Sequence, residues 1–148
     1  MSGFEIRELS AEETGLAFEA MRALRGHLAS REEFEERVAE QRAEGFRLLA
    51  ALPAGGGPAA AVAGFRAGHN LAWGYFLYVD DLSTLPEARG RGLAGRLMSW
   101  LQEEAARLGC DSLHLDSGFG PERTEAHRLY FNQGLAVTAL HFARAFRS

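Results

Sequence analysis

The sequence predicts a single α+β, or mixed α/β, domain over residues 1–148. Three observations carry that expectation. A chain of 148 residues holds one domain and leaves little room for two. Apolar spacing switches along it between the alternation of strands, as in residues 4–9, and helical spacing, as in residues 93–108. The only Gly/Pro-rich stretch, residues 53–58, is too short for a linker and reads as a hairpin loop.

The elements follow in order. Phe4 and Ile6 alternate with Glu5 and Arg7, which predicts a short strand. Ser10 then caps a helix with Glu12 and Glu13 in its first turn, and Leu16, Ala17, Ala20, Met21, Leu24 and Leu28 form its apolar stripe. Ser30 caps a second helix that carries Phe34 and Val38 one turn apart. Residues 46–52 and 60–66 are strands on either side of the glycine loop. Residues 71–84, rich in Trp73, Tyr75, Phe76, Tyr78 and Val79, predict a long strand. A helix runs from Gly92 to Leu108 and ends at Gly109. Residues 112–116 form a strand, Thr124 caps a short helix that Gly134 ends, and residues 135–146 form a final strand. The predicted order is β-α-α-β-β-β-α-β-α-β.

Composition narrows the function classes. At 47% hydrophobic and 24% charged residues the chain is globular rather than disordered. A domain of this size buries roughly 68–70% of its unfolded surface, enough for a true core. All 16 basic residues are Arg, against 20 acids, for a net charge of −4. That balance argues against a protein that coats nucleic acid, which needs a basic face to release counterions. The first 45 residues hold eleven Glu and six Arg, so the acidity is concentrated there. One cysteine, Cys110, excludes an internal disulfide and a multi-cysteine zinc site, and the five dispersed His offer no H-x-x-x-H pair, so no metal is expected. Residues 1–9 lack the apolar segment of a secretory signal, and the longest charge-free run, residues 48–65, is broken by Pro53, three glycines and Pro58. A cytoplasmic protein without membrane contact is the expectation.

Residues 80–95, DDLSTLPEARGRGLAG, carry the chemistry. A strand ends at Thr84, an Arg- and Gly-rich loop follows, and a helix begins. A helix N-terminus presents unpaired N–H groups and the positive end of the dipole, which suits a phosphate. Gly90 and Gly92 let the backbone approach an anion, and Arg89 and Arg91 add charge-assisted hydrogen bonds. The plain alternative is a turn that merely needs flexible residues. Gly90, Gly92 and Gly95 also satisfy the dinucleotide fingerprint G-x-G-x-x-G, with Asp116 ending the next strand. Five residues separate Thr84 from Gly90, one β-α-β unit of this kind exists, and a hairpin meander precedes it, all of which disfavour that fold.

Arg89, Gly90, Arg91, Gly92, Leu93 and Ala94 match R/Q-x-x-G-x-G/A, the acyl-CoA loop of the GNAT superfamily of N-acetyltransferases, which the chain resembles. The element order is similar over nearly the whole chain. Residues 126–135, AHRLYFNQGL, resemble the family's A-x-x-x-Y-x-x-x-G-F/L helix, and residues 78–92 look more like small-molecule amine acetyltransferases, including some aminoglycoside 3-N-acetyltransferases, than like histone enzymes. The resemblance implies a GNAT-like fold, with a central, mostly antiparallel, twisted sheet of about six to seven strands flanked by about four helices. It implies acetyl-CoA as acyl donor, no metal, and an amine acceptor. The backbone of Leu82, Ser83 and Thr84 would pair with the pantetheine arm like an added strand. Amides of Arg89, Gly90, Arg91, Gly92, Leu93, Ala94 and Gly95 would hold the pyrophosphate. Tyr130 would protonate the departing thiolate. Arg123 stands where the family often has Asn, and could still reach a phosphate. A non-catalytic acyl-CoA-binding module of the same fold is the competing reading. The acceptor is not legible, and members of the family are often homodimers.

Acyl transfer to an amine also needs a group that receives the ammonium proton. Asp80 and Asp81 end the central strand beside the loop. Strand alternation would send only one of them to the cleft, and a bulge would change which. Both could instead cap the strand or pair with Arg. Together with the acidic first 45 residues they suggest a small cationic amine, and Asp116 is a lesser candidate. Tyr130 could be core, given Ala126 and Leu129 on its helix face. His127, His141 and His114 read as surface or packing residues. Trp73, Tyr75, Phe76 and Tyr78 divide between core and acceptor pocket. Cys110, in a helix–strand turn, gives no support to an acyl-cysteine, so direct transfer is the simpler expectation.

Overall fold

A computed structural model describes residues 3–147. The chain divides into two compact units, Met1–Leu115 and Asp116–Ser148.

The first unit is built on one five-stranded sheet in chain order, β1 (Phe4–Glu8), β2 (Arg47–Pro53), β3 (Ala61–Asn70), β4 (Gly74–Thr84) and β5 (Ser112–Leu115). The first three pairings are antiparallel and β4 with β5 is parallel. The sheet is mixed, and among the described residues it has five strands rather than the six to seven expected. The difference lies in residues 135–146. Their alternation satisfies a strand pattern, but a strand exists only through ladder hydrogen bonds. Among the described residues none forms a strand ladder with them, and Val137, Leu140, Phe142 and Phe146 are exposed.

Two helices cover one sheet face. Residues Ala11–Ala17 form a 3-10 turn that passes into α1 (Phe18–Leu24), where a single helix was expected. The chain leaves helical geometry at Arg25, so Leu28 joins the core from the following turn, its N–H donating to the Arg25 carbonyl at 3.1 Å. Helix α2 (Arg31–Arg42) starts as predicted: the Ser30 hydroxyl accepts from the Glu33 N–H at 3.1 Å. Phe18, Met21, Leu28, Phe34 and Val38 bury themselves against Leu48, Ala50, Leu52 and Val62.

Helix α3 (Leu93–Leu108) connects β4 to β5 and buries Leu97, Met98 and Leu101 completely, with Trp100 edge-on to Phe65 at 5.8 Å. It closes on Gly109 at φ +80°, where the Gly109 N–H reaches Ala106 and the Cys110 N–H reaches Ala105. Strand β4 begins at Gly74, not at residue 71. β3 runs on to Asn70, whose side chain accepts from the Trp73 N–H at 2.6 Å and turns the hairpin.

The second unit holds a 3-10 turn (Pro121–Arg123) that leads into α4 (Thr124–Asn132). The latter closes on Gly134, with Gly134 bonded to Phe131 and Leu135 to Tyr130, the double bond of a Schellman end. No helix among the described residues is long and apolar enough to cross a membrane.

Candidate active site

Strand β4 carries the first part of the site through one irregularity. Gly64 pairs with Asp81, and the next residue of β3, Phe65, pairs with Val79. Asp80 is therefore an extra residue, a β-bulge. Strict alternation would put Asp80 and Asp81 on opposite faces. The bulge resets the alternation, and both carboxylates meet partners on the side of the sheet that α1 and α2 cover.

Asp81 points under those helices. Arg25 Nε, just past α1, donates to Asp81 Oδ1 at 2.9 Å, and its second nitrogen donates to the Asp80 carbonyl at 2.9 Å. The carboxylate has room because residue 64 is glycine. A Cβ there would strike Asp81 Oδ2 and the Phe46 ring. Burial pushes the Asp81 carboxyl above its ordinary range, against the pull of Arg25 and with a smaller push from Asp80. Asp80 is held separately: Arg66 Nε donates to Asp80 Oδ2 at 3.0 Å, while the Arg66 guanidinium lies over Tyr78 at 5.0 Å.

Asp81 lies at an open cavity of about 160 Å³. Its wall is apolar at Met21, Leu28 and Phe46 and polar at Arg25, Arg37 and Gln41. Trp73, Tyr78 and His114 form an aromatic stack further along β4, with Trp73 and His114 centroids 3.5 Å apart. Phe76 meets the same group edge-on and is buried, so it belongs to packing.

The parallel ladder of β4 with β5 ends at Val79 and Leu115. Leu82, Ser83 and Thr84 pair with β3 on one side only, opposite Ala63, Val62 and Ala61. Their other edge has no strand partner among the described residues, which is the condition for an extended ligand to add there. After Thr84, a 3-10 turn (Pro86–Ala88) leads to the loop. Gly90 and Gly92 adopt φ +81° and +73°, a conformation that disfavours other residues, and a Cβ at either would meet open space. Gly92 caps α3, followed by Leu93, Ala94 and Gly95 in the first turn. Arg89 and Arg91 are exposed and have no carboxylate partner among the described residues, and Arg91 lies 6.0 Å from the Phe4 ring. An exposed glycine-rich helix start with two uncompensated guanidinium groups fits a polyphosphate.

The second unit holds the remaining candidates. Tyr130 is half-buried on α4, and burial holds its hydroxyl above the ordinary range against the opposing pull of Arg123. The imidazole of His127 bonds Ser117 Oγ and the Gly118 carbonyl, both at 3.0 Å, tying α4 to the loop before it. Asp116 pairs with His141 at 2.8 Å.

Sequence reading missed Arg25, Arg66, Gly64 and the cavity. One signal was present: a glycine inside a strand, flanked by apolar residues, marks a bulge or a close approach.

The chain thus combines a mixed five-stranded sheet, a bulge in β4 and a glycine-rich start to α3. A model of the acetyltransferase (GNAT) family matches residues 14–135, and the chain belongs to that family. An aminoalkylphosphonate N-acetyltransferase from Salmonella typhimurium (strain LT2) is 30% identical over 67 residues, 45% of this chain and 42% of that relative. The match thus spans less than half the length of that relative. Glucosamine-6-phosphate N-acetyltransferase from Arabidopsis thaliana superposes with a TM-score of 0.77 at 21% identity, over 97% of this chain and 99% of that one. An aminoglycoside N-acetyltransferase in complex with CoA gives 0.76 at 20% identity, over 99% and 97%. These structural likenesses show the shared fold.

Proposed function

We propose that this single-domain protein transfers an acetyl group from acetyl-CoA directly to the primary amine of a small acceptor. The observation that carries this reading is the loop from Arg89 to Gly95, opening α3 after a bulged strand with a free edge, within a chain of the GNAT family. The relatives named above are N-acetyltransferases, which supports an amine as acceptor.

Acetyl-CoA, when bound, supplies an activated thioester. The residues suited to hold it are the backbone of Leu82, Ser83 and Thr84 along the free edge, and Arg89, Gly90, Arg91, Gly92, Leu93, Ala94 and Gly95 at the helix start. Arg123 is a further phosphate contact. Asp81 receives the proton that the acceptor ammonium must lose, directly or through water. Its raised pKa brings proton affinity closer to neutrality, as a base requires. Asp80, paired with Arg66, adds negative charge that attracts the ammonium. Tyr130 Oη stays protonated at neutral pH and donates its proton to the departing sulfur. Cys110 closes α3 through its backbone and has no part in transfer.

The test is thiol release from acetyl-CoA over amines, amino acids, polyamines and aminoglycosides, beside calorimetry with acetyl-CoA. Amine-dependent release is expected. Binding without release from any amine would leave an acyl-CoA-binding module in place of an enzyme. Binding of a nicotinamide dinucleotide but not acetyl-CoA would overturn both readings.

A further inference from the structure

Helix α2 is strongly acidic in composition, with Glu32, Glu33, Glu35, Glu36 and Glu40, yet none of these lines the cavity above Asp81. The face of α2 that does so is Phe34, Arg37, Val38 and Gln41, residues spaced i, i+3, i+4 and i+7 on one helical stripe. The glutamates are engaged elsewhere or point away: Glu33 accepts from the Ala29 N–H at 2.8 Å, and Glu35 faces Arg31 at 4.0 Å. Asp81 is the only carboxylate among the described lining residues.

The cations are not equivalent. Arg25 is engaged by Asp81 Oδ1 and the Asp80 carbonyl. Arg37 lies at the exposed rim and has no carboxylate partner among the described residues. Gln41, one turn along the same stripe, adds an amide donor, and His27 lines the cavity beside Arg25. A small cavity lined by one half-buried carboxylate and, at its rim, an uncompensated guanidinium is complementary to a molecule bearing both charges. A guanidinium fork matches a planar or tetrahedral oxyanion with two parallel hydrogen bonds.

We propose that the acceptor is a small zwitterion, an amine that also carries a carboxylate, phosphonate or phosphate group, and that Arg37 is the residue that anchors this oxyanion while the amine faces Asp81. This deepens the proposed function and rests on its placing the acceptor amine at Asp81. The ammonium end is attracted by Asp80 and Asp81, and the opposite end by Arg37.

The experiment has two arms. In the first, kcat/KM at saturating acetyl-CoA is measured for 3-aminopropanoate, 2-aminoethylphosphonate, propylamine and 1,3-diaminopropane. The anionic amines should be preferred by roughly 10- to 100-fold, and the better of the two identifies the oxyanion. Arg37→Gln should collapse that preference, chiefly through KM, and Arg37→Lys should restore part of it. Arg31→Gln, the same charge change on the same helix away from the cavity, should leave the preference intact. In the second arm, calorimetry measures binding of the two anionic amines to the enzyme and to the Arg37→Gln protein without acetyl-CoA. Arg37-dependent binding without transfer would refute the enzyme reading and uphold the anion anchor. Equal or better use of propylamine or the diamine, an equal loss for all acceptors on Arg37→Gln, or binding indifferent to Arg37 would overturn the proposal.

Discussion

Asp81 has one guanidinium donor, an aromatic wall and the space of a missing Cβ beside it. Under the proposed function, replacing it with Asn removes the proton acceptor but keeps the shape. Asp81→Asn should lower kcat by about 10²–10⁴ and abolish the rising acid limb of the rate profile. It should also change how stability varies with pH. Because the folded pKa is raised above the ordinary 3.8, the contribution of this group is fully present below that value and is lost as pH rises through the folded value. The melting temperature of Asp81→Asn should therefore gain on that of the natural protein as pH rises from below 3.8 through the folded value, and thermal melts along that rise read it directly. Tyr130 answers a different question. Tyr130→Phe should reduce single-turnover acetyl transfer by about 10²–10⁴ while the melting temperature and acetyl-CoA affinity stay near their starting values. An unchanged chemical step would return Tyr130 to packing.

At the scale of elements, the proposed pyrophosphate site at the α3 start is built from backbone. Two glycines at positive φ set the loop, and the helix dipole supplies the field. Arg89→Ala should weaken acetyl-CoA binding by roughly 1–3 kcal/mol in calorimetry, with much less effect on a pantetheine fragment that lacks the pyrophosphate. The loop was legible from residues 89–95 because all its determinants are local. The strand before it was only half legible. Its apolar and aromatic content predicted β4, but the bulge at Asp80 depends on pairing with β3, and no property of Asp80 itself announces it. Where the acidic first helices place their charge depends on packing in the same way. Composition counts every Glu on α2, whereas the cavity meets one stripe of that helix, and that stripe contains Arg37 and Gln41.

In the first unit as a whole, α3 is clamped to β1 and β2 by a charge network around the buried Glu104. Glu104, 6% exposed, accepts from Arg107 at 2.7 Å through both its oxygens and pairs with Arg47 at 2.9 Å. Arg47 in turn holds Glu8 at 2.7 Å and lies over the Phe65 ring at 4.7 Å. Arg107 and Arg47 lower the Glu104 carboxyl from 4.5 to about 2. A depressed carboxylate contributes stability above its unfolded value that is lost as pH falls through the folded one. Glu104→Gln should therefore cost about 1.5–3 kcal/mol at pH 7, shrinking as pH drops from about 4.5 towards 2. Urea unfolding at pH 7 and pH 3 gives the comparison; a pH-independent cost would mean that packing, not charge, holds α3.

What the sequence determined by itself is whatever is decided within a turn or two of chain. Ser30 capped α2, Gly109 and Gly134 ended their helices, and Gly90 and Gly92 shaped the loop before α3, because capping and positive φ are local properties. The tertiary structure decided everything that needs a partner from elsewhere. Residues 135–146 have the alternation of a strand and no ladder among the described residues, since alternation describes one side of a pairing that another strand must complete. Asp81 acquired its environment from Arg25, 56 residues earlier, and from a glycine on the neighbouring strand. The cavity assembled Arg37, Phe46 and Asp81 from three separate elements. Charge and burial at a site are sums over spatial neighbours, and chain order does not list those neighbours until the fold has brought them together.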